Sequence, residues 1–211
     1  MLRALIIANG EMPSSPLLAR LAAAAGLVVA ADGGAAKALA AGLRPHAVVG
    51  DLDSLTPGIR ARLDEATIHE DRDPHTTDLE KAVVFAIAAG AGSIDVAGAG
   101  GGRADHALAN LSILINFAGQ ADIRLVDDQF EVRRVAGEAV IEGERGTVVS
   151  LIALGQCTGV TTRGLRWPLA GVTLHFSPRG VHNEVSDPPA AVSVESGDLL
   201  LFEGRWVERH R

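Results

Sequence analysis

Short apolar runs alternate with helical segments over the first 126 residues, and this alternation limits the folds open to the chain. The apolar runs predict strands at 2–8, 27–31, 47–49, 66–69, 93–97 and 123–126. The expected N-caps Ser14 and Thr77, together with terminal glycines, predict helices at 15–25, 35–41, 57–65, 78–89 and 104–117. Strands joined by helices of this length form parallel sheets covered on both faces. We therefore predict a mostly parallel, Rossmann-like sheet.

The pattern changes after residue 127, where the helical periodicity ends. Short runs rich in Val, Thr, Ile and Leu recur between glycines and prolines, as is typical of antiparallel β structure. These predicted strands cover 131–135, 139–141, 147–153, 159–162, 172–176, 191–194 and 198–203. The sequence thus predicts an α/β domain at 1–127, followed by an all-β sandwich domain at 128–211.

Composition excludes several classes of function. The 26 acidic residues outnumber the 19 Lys and Arg residues, giving a net charge of −7, which argues against nucleic-acid binding. Cys157 is the single cysteine, so neither an intrachain disulfide nor a zinc–thiolate cluster is expected. No apolar run approaches the length of a membrane span, and the first residues resemble a strand more than a signal peptide. We expect a cytoplasmic protein without a membrane partner.

Asp51 and Asp53 directly follow the predicted strand at 47–49. On an extended chain, residues two apart point the same way, so both carboxylates would face one point beyond the strand. Like charges held together need a cation, and Mg²⁺ prefers carboxylate and phosphate oxygens. The alternative interpretation is a pair of solvated acids in a turn.

Other polar residues also follow predicted strands, where parallel sheets bind their ligands. The loop at 98–106 contains Gly101, Gly102 and Arg103 before a helix, a pattern suited to phosphate, although it is also compatible with a flexible loop. Asp78 is predicted to be either a metal ligand or a helix-terminal acid, and Lys81 either a phosphate ligand or a surface lysine. Asp32 is either a substrate acceptor or a turn former.

Trp167 stands out because only 3% of the residues are aromatic. A tryptophan in a turn-like segment either fills a core or stacks on a flat cationic ligand. The residues alone favour the core interpretation.

Five segments, taken in order, resemble the thiamine pyrophosphokinase family: 31–34, 49–54, 77–82, 101–110 and 163–169. The resemblance implies an α/β catalytic domain that binds ATP and Mg²⁺, a β-sandwich that binds thiamine, and a homodimer with sites between subunits. It implies that Asp51, Asp53 and Asp78 hold Mg²⁺. It also implies that Trp167 stacks on thiamine from the partner subunit, which replaces the core interpretation.

Further site residues follow from the same resemblance. Asp51, Asp53, Asp78 and Asp105 are the expected catalytic residues. ATP is expected to contact Asp32, Thr77, Lys81, Gly101, Gly102 and Arg103, and thiamine is expected to contact Trp167, His182 and Asn183. The chain departs from the family at 180–183, where His182 replaces the usual serine, and at 74–76, where an acidic residue is often found.

The function implied is transfer of the β,γ-pyrophosphoryl group of ATP to the hydroxyl of thiamine, giving thiamine diphosphate and AMP. One alternative is a haloacid-dehalogenase-like phosphatase that uses Asp51 as nucleophile, although Leu55 stands at the usual Thr/Val position of its signature. The other alternative is a non-catalytic protein that binds thiamine or nucleotide.

Overall fold

A computed structural model describes residues 1–63 and 66–207 of the chain. The chain divides into two compact units, Met1–Asp128 and Gln129–Arg211. The first unit alternates strands and helices, and the second is rich in β structure, as the sequence predicts. None of the described helices is long and apolar enough to cross a bilayer.

The first unit contains a six-stranded parallel sheet. Its strands are β1 (Leu2–Ile7), β2 (Leu27–Ala31), β3 (Ala47–Gly50), β4 (Thr67–Glu70), β5 (Ala91–Ala97) and β6 (Asp122–Val126). They are arranged in the order β4-β3-β2-β1-β5-β6, and every pair is parallel. The order reverses at β1, which pairs with β2 on one side and β5 on the other. Ligands of open α/β sheets bind outside the carboxyl ends of the strands at such a reversal.

Six helices connect these strands. They are α1 (Ser15–Ala24), α2 (Gly34–Ala40), α3 (Pro57–Arg60), α4 (Asp78–Ala88), α5 (Ala104–Asn110) and α6 (Ile113–Asn116). The predicted helix 57–65 is wrong in length, since α3 ends at Arg60, and residues 64–65 lie outside the described part of the chain. The predicted helix 104–117 is two short helices, because N–H groups between them bond three residues back, as Ser112 does to Ala109 at 2.9 Å.

The two predicted helix caps differ in outcome. Thr77 caps α4 through Oγ1, which accepts the Glu80 N–H at 3.2 Å. Ser14 stands at the N-cap of α1, but its side chain makes no cap bond. Its Oγ instead donates to Asp128 Oδ1 at 2.6 Å. The cap prediction is therefore confirmed at Thr77, and at Ser14 for its position alone.

The second unit is built from antiparallel pairs. Its strands are β7 (Phe130–Arg134), β8 (Glu138–Ile141), β9 (Thr147–Arg163), β10 (Val172–Leu174), β11 (Asn183–Glu184), β12 (Ala190–Ser193) and β13 (Ser196–Val207). All the described pairs within this unit are antiparallel. Strand pairing over the whole chain is therefore mixed, and the predicted parallel, Rossmann-like character is confined to the first unit.

Strand β9 organises the second unit. It is one strand of 17 residues, so the two separate strands predicted at 147–153 and 159–162 are wrong. Gly155 and Gly159 within β9 have φ angles of +96° and +64° and allow the strand to bend without ending. β9 pairs with β13 over its first part and with β12 near its end. It thereby contributes buried residues such as Leu151 and Val160 to the core of this unit.

Candidate active site

A cavity of about 620 Å³ opens at the carboxyl ends of the parallel strands in the first unit. Its walls come from the segments that follow β1, β2, β3, β4 and β5, so it lies at the reversal in strand order. Among the sequence-predicted site residues, it is lined by Asp32, Asp51, Asp53, Thr77, Asp78, Lys81, Gly101, Gly102 and Arg103. The fold thus brings together residues that are up to 71 positions apart in the chain (from 32 to 103).

Three carboxylates converge in this cavity. Asp32, Asp51 and Asp78 each place one oxygen so that the three oxygens lie within 4.8 Å of one another. Asp32 is only 4% exposed, and its Oδ1 has no hydrogen-bond partner among the described residues. A buried acceptor without a donor is costly. A cation held by three carboxylates would relieve that cost, so the residues present fit Mg²⁺.

The backbone around Gly50 allows the carboxylates to approach. Gly50 has a φ angle of +153°, and a Cβ placed on it would lie 2.8 Å from Asp32 Cβ and 2.9 Å from Asp78 Oδ1. A side chain at position 50 would therefore push two members of the acidic group apart. The Asp51 N–H donates to Asp78 Oδ1 at 3.2 Å, which ties the end of β3 to the start of α4.

Asp53 lines the cavity but is not a member of the group of three. The extended geometry expected for Asp51 and Asp53 is wrong, because Leu52 between them has a φ angle of +64° and turns the chain. The Asp53 N–H donates to Asp51 Oδ1 at 3.2 Å, and its carboxylate accepts Ser54 Oγ at 3.0 Å. Asp53 thus supports the loop that carries Asp51.

Burial raises the pKa of Asp32 above its usual range, and the charges of Asp78 and Asp53 raise it further. The Ser54 hydroxyl and the Gly33 N–H act in the opposite direction. The same burial that leaves Oδ1 unpaired thus disfavours the carboxylate form. A bound cation would favour that form instead.

Lys81 is buried, with 7% exposure, so the surface-lysine interpretation is wrong. Its Nζ donates to the Asp71 carbonyl at 2.8 Å and lies 3.4 Å from Asp78 Oδ1. The ammonium group therefore connects the loop after β4 to the acidic group. It holds Asp78 rather than projecting into open solvent.

The glycine-rich loop after β5 is fixed by main-chain bonds. Gly10 and Glu11 donate to the carbonyls of Gly98 and Gly100, both at 2.8 Å, and Asn110 Nδ2 donates to the Ala99 carbonyl at 2.7 Å. The flexible-loop alternative is therefore not supported for this part of the loop. Gly101 and Gly102 both have positive φ angles, +77° and +67°.

Arg103 and Asp105 form an exposed ion pair beside this loop. Arg103 Nη2 lies 2.6 Å from Asp105 Oδ2, and Nε lies 3.1 Å from Oδ1. The hydrogen bonds from Arg103 lower the pKa of Asp105 to about 2. Asp105 is the one predicted catalytic residue that does not line the cavity.

The second unit has a cavity of about 300 Å³ that is lined by Trp167, His182 and Asn183 together with Leu151, Leu169, Arg179, Gly180 and Val181. Trp167 is 51% exposed, so the core interpretation is wrong. The Arg166 guanidinium lies 5.0 Å from the centre of the Trp167 ring. The Trp167 ring thus contacts the Arg166 cation of the same chain, and part of its surface remains exposed to solvent.

The Trp167 main chain is held by Asn183. The Trp167 N–H donates to Asn183 Oδ1 at 3.1 Å, and Asn183 Nδ2 donates back to the Trp167 carbonyl at 2.7 Å. The neighbouring His182 has a φ angle of +62°, and its N–H donates to Ser150 Oγ at 3.0 Å. The three residues predicted to contact thiamine therefore lie together on fixed main chain.

Two family models match the sequence. "Thiamin pyrophosphokinase, catalytic domain" matches residues 18–126, and "Thiamin pyrophosphokinase, vitamin B1 binding domain" matches residues 138–201. The first match alone covers more than half of the chain. The chain belongs to the thiamin pyrophosphokinase family.

Individual relatives agree with this assignment. The chain is 30% identical over 205 residues to thiamine pyrophosphokinase from Bacillus subtilis, covering 93% of this chain and 96% of that one. It is 31% identical over 150 residues to thiamine pyrophosphokinase 1 from rice, covering 63% of this chain but only 56% of that protein. A crystal structure of the Bacillus subtilis enzyme has a TM-score of 0.84 at 25% identity, covering 96% of this chain and 98% of that one.

Sequence reasoning gave no site role to several polar residues that line the cavities, among them Arg72 in the first cavity and Arg179 in the second. Asn9 also lines the first cavity, and the sequence marks it only as one of several polar residues at strand ends. Arg72 and Arg179 lie in loops, where the sequence carries no periodic signal for side-chain direction.

Proposed function

We propose that this chain is a thiamine diphosphokinase, an ATP-dependent diphosphotransferase that moves the β,γ-pyrophosphoryl group of ATP to thiamine. The thiamine hydroxyl oxygen forms a bond to the β-phosphorus, and the bond from that phosphorus to the oxygen bridging the α-phosphate breaks. The products are thiamine diphosphate and AMP. The observation that carries the proposal is the convergence of three carboxylates in a cavity of about 620 Å³ in a chain from this family.

The first unit, 1–128, is the proposed catalytic domain that binds ATP and Mg²⁺. Asp51, Asp53 and Asp78 would hold Mg²⁺, which, when bound, would neutralise charge on the phosphate oxygens. Arg103 and the glycine-rich loop support binding of the polyphosphate, because this loop is fixed and its main chain is open to the cavity. Arg72, from the loop after β4, adds a second guanidinium to the lining of the same cavity.

The proton of the attacking hydroxyl needs an acceptor, for which Asp78 and Asp105 are the predicted residues. Asp105 is paired with Arg103 and has a pKa of about 2, which makes it a weak base. Asp78 lies within the cavity and is oriented by Lys81 and by the Asp51 N–H. These contacts favour Asp78 for the role of orienting the hydroxyl.

The second unit, 129–211, is the proposed β-sandwich that binds thiamine. The exposed indole of Trp167 suits a flat thiazolium cation, and Asn183 holds the Trp167 main chain in place. We further propose a cytoplasmic homodimer in which Trp167 of the partner subunit stacks on thiamine. Light scattering of the purified chain would test the dimer.

One assay tests the reaction. The protein is incubated with Mg²⁺, thiamine and ATP that is radiolabelled at the γ-phosphate. We expect the label in thiamine diphosphate together with equimolar AMP, and neither product when thiamine is omitted. Label in free phosphate and a trapped aspartyl phosphate would instead identify a phosphatase. Ligand binding without any product would identify a non-catalytic binding protein.

A further inference from the structure

We infer that the cavity of the second unit binds thiamine diphosphate, the proposed product, more tightly than thiamine, and that the Arg179 guanidinium contacts its phosphates. The inference rests on the proposed function for the identity of these two ligands. It adds a residue that distinguishes between them, and it assigns to the cavity a ligand that joins a flat cation to an oligophosphate.

The charge of the cavity lining is the first argument. The lining includes Arg179 and His182 but, among the residues that the structure describes, no aspartate or glutamate. An arginine side chain is always protonated. Thiamine is a cation, so it meets fixed positive charge with no carboxylate in the lining to offset it. A diphosphate group on the same ligand reverses this balance, because guanidinium and phosphate form strong, charge-assisted hydrogen bonds.

The partners of two arginines near Trp167 are the second argument. Arg166 lies over the indole, and its Nη1 is 2.5 Å from Glu184 Oε1. Arg179 is exposed, and its guanidinium makes no ion pair or hydrogen bond with any residue of 1–63 and 66–207. The charge of Arg166 is therefore offset within the chain, whereas the charge of Arg179 is available to a ligand.

The main chain that carries Arg179 is fixed against β9. The Leu151 N–H donates to the Gly180 carbonyl at 2.9 Å, and the Val181 N–H donates to the Pro178 carbonyl at 3.1 Å. Gly180 has a φ angle of +103°, and a Cβ placed on it would lie 2.8 Å from the Leu151 carbonyl oxygen. A ligand that binds Arg179 therefore orders one side chain and no main-chain segment, which limits the entropic cost of binding.

Binding of the two ligands to the full chain, without ATP and with EDTA to remove divalent cations, tests the inference directly. The chain has two tryptophans, so a Trp206→Phe background leaves Trp167 as the single indole, and its fluorescence reports on this cavity. In that background we expect thiamine diphosphate to bind at least about tenfold more tightly than thiamine.

Substitutions of two exposed arginines identify the group responsible. Arg179→Met should weaken binding of thiamine diphosphate by about tenfold or more, while the affinity for thiamine changes by less than about threefold. Arg179→Lys should retain part of the preference, because the charge remains and the planar fork is lost. Arg145→Met, in the turn before β9 and outside the cavity lining, is the matched control and should retain all of it.

Three results would overturn the inference: equal affinity for the two ligands, a preference that Arg179→Met leaves intact, or a loss of ATP affinity in Arg179→Met, which would assign the guanidinium to the nucleotide. These outcomes are separate from the proposed function. A chain that forms thiamine diphosphate from ATP but lacks the preference overturns the inference alone. A chain that shows the preference through Arg179 but forms no product overturns the function alone.

Discussion

The two cavities are built on different principles. The cavity of the first unit collects charged side chains, and one oxygen of its buried Asp32 carboxylate has no hydrogen-bond partner in the part of the chain that the structure describes. The cavity of the second unit presents an indole whose main-chain N–H and carbonyl are both bonded to Asn183. In the first cavity a buried carboxylate oxygen still needs a ligand, whereas in the second cavity the main-chain groups of Trp167 are hydrogen-bonded without one. Substitutions should therefore affect chemistry in the first cavity and affinity in the second.

The largest expected effect lies at Asp51. Asp51→Asn should lower kcat by roughly 10³-fold, because loss of a metal-binding carboxylate removes about 4 kcal/mol of transition-state stabilisation. The unfolding temperature should stay within about 2 °C of the unsubstituted protein, since Asp51 is exposed. Steady-state kinetics measures the fall in kcat, and thermal unfolding measures the change in unfolding temperature. A variant with normal turnover contradicts the role of Asp51, and Asp122→Asn provides the charge-matched control.

The next largest effect on turnover is expected for the substitution Lys81→Met. Loss of the ammonium should free Asp78 and lower kcat by about 10–100-fold, as expected when a group that orients a metal ligand is removed. It should also cost about 0.5–1.5 kcal/mol of folding free energy, because the Asp71 carbonyl loses its hydrogen bond from the ammonium. Kinetics and denaturant unfolding test these expectations.

The control is Lys37→Met, which alters the only other lysine in the chain. Lys37 lies in α2 and does not line the cavity. If Lys81→Met raised the KM for ATP and left kcat unchanged, the result would support the sequence-based interpretation of Lys81 as a phosphate ligand. A fall in kcat with unchanged KM would support the positioning role.

Trp167→Ala examines the second cavity. Loss of a cation–π contact of about 1–2 kcal/mol should raise the KM for thiamine by roughly 5–30-fold. Because the ring is 51% exposed, the unfolding temperature should change little. Trp167→Phe should recover part of the affinity, and Trp206→Ala, which removes a ring packed 4.9 Å from Phe130, should leave the KM unchanged. An unchanged KM in Trp167→Ala would show that thiamine binds elsewhere.

The difference between the cavities also explains what the sequence could predict. Alternating strands and helices identify a parallel sheet, and a sheet of this kind has a binding edge. Asp51 and Asp78 could therefore be placed near each other from their positions after a strand and before a helix. Asn183 could be connected with Trp167 only through family resemblance, because the bonds between them join segments 16 residues apart.

Local backbone angles account for the remaining errors at the acidic group. The sequence pattern D-x-D suggests two parallel side chains, but Leu52 adopts a left-handed φ angle and redirects Asp53. Asp32 has the same kind of angle and is turned into the cavity from a neighbouring strand. The angle at Leu52 does not follow from residue type, because leucine rarely adopts this region, whereas aspartate adopts it more often than most residues. At Asp32 the angle accompanies close packing of its Cβ against Gly50, which is a tertiary contact.

The smallest expected effect concerns Asp105, at the rim of the first cavity. Its pKa of about 2 is below the ordinary 3.8, so the pairing with Arg103 stabilises the fold above pH 3.8. That contribution is lost as the pH falls from 3.8 through about 2. A carbon-13 NMR titration of the carboxyl group should give a pKa of about 2, and Arg103→Met should return it to near 3.8.

High salt distinguishes the two uses of Arg103. The ion pair is exposed, so 1 M salt should screen it and move the pKa of Asp105 toward its ordinary value. A pKa near 3.8 already at low salt would mean that Arg103 is not committed to Asp105. In that case the guanidinium would be available to phosphate before any nucleotide binds. Arg103 would then be a charged group of the first cavity that awaits a ligand, unlike the main-chain groups of Trp167 in the second cavity, which are already hydrogen-bonded.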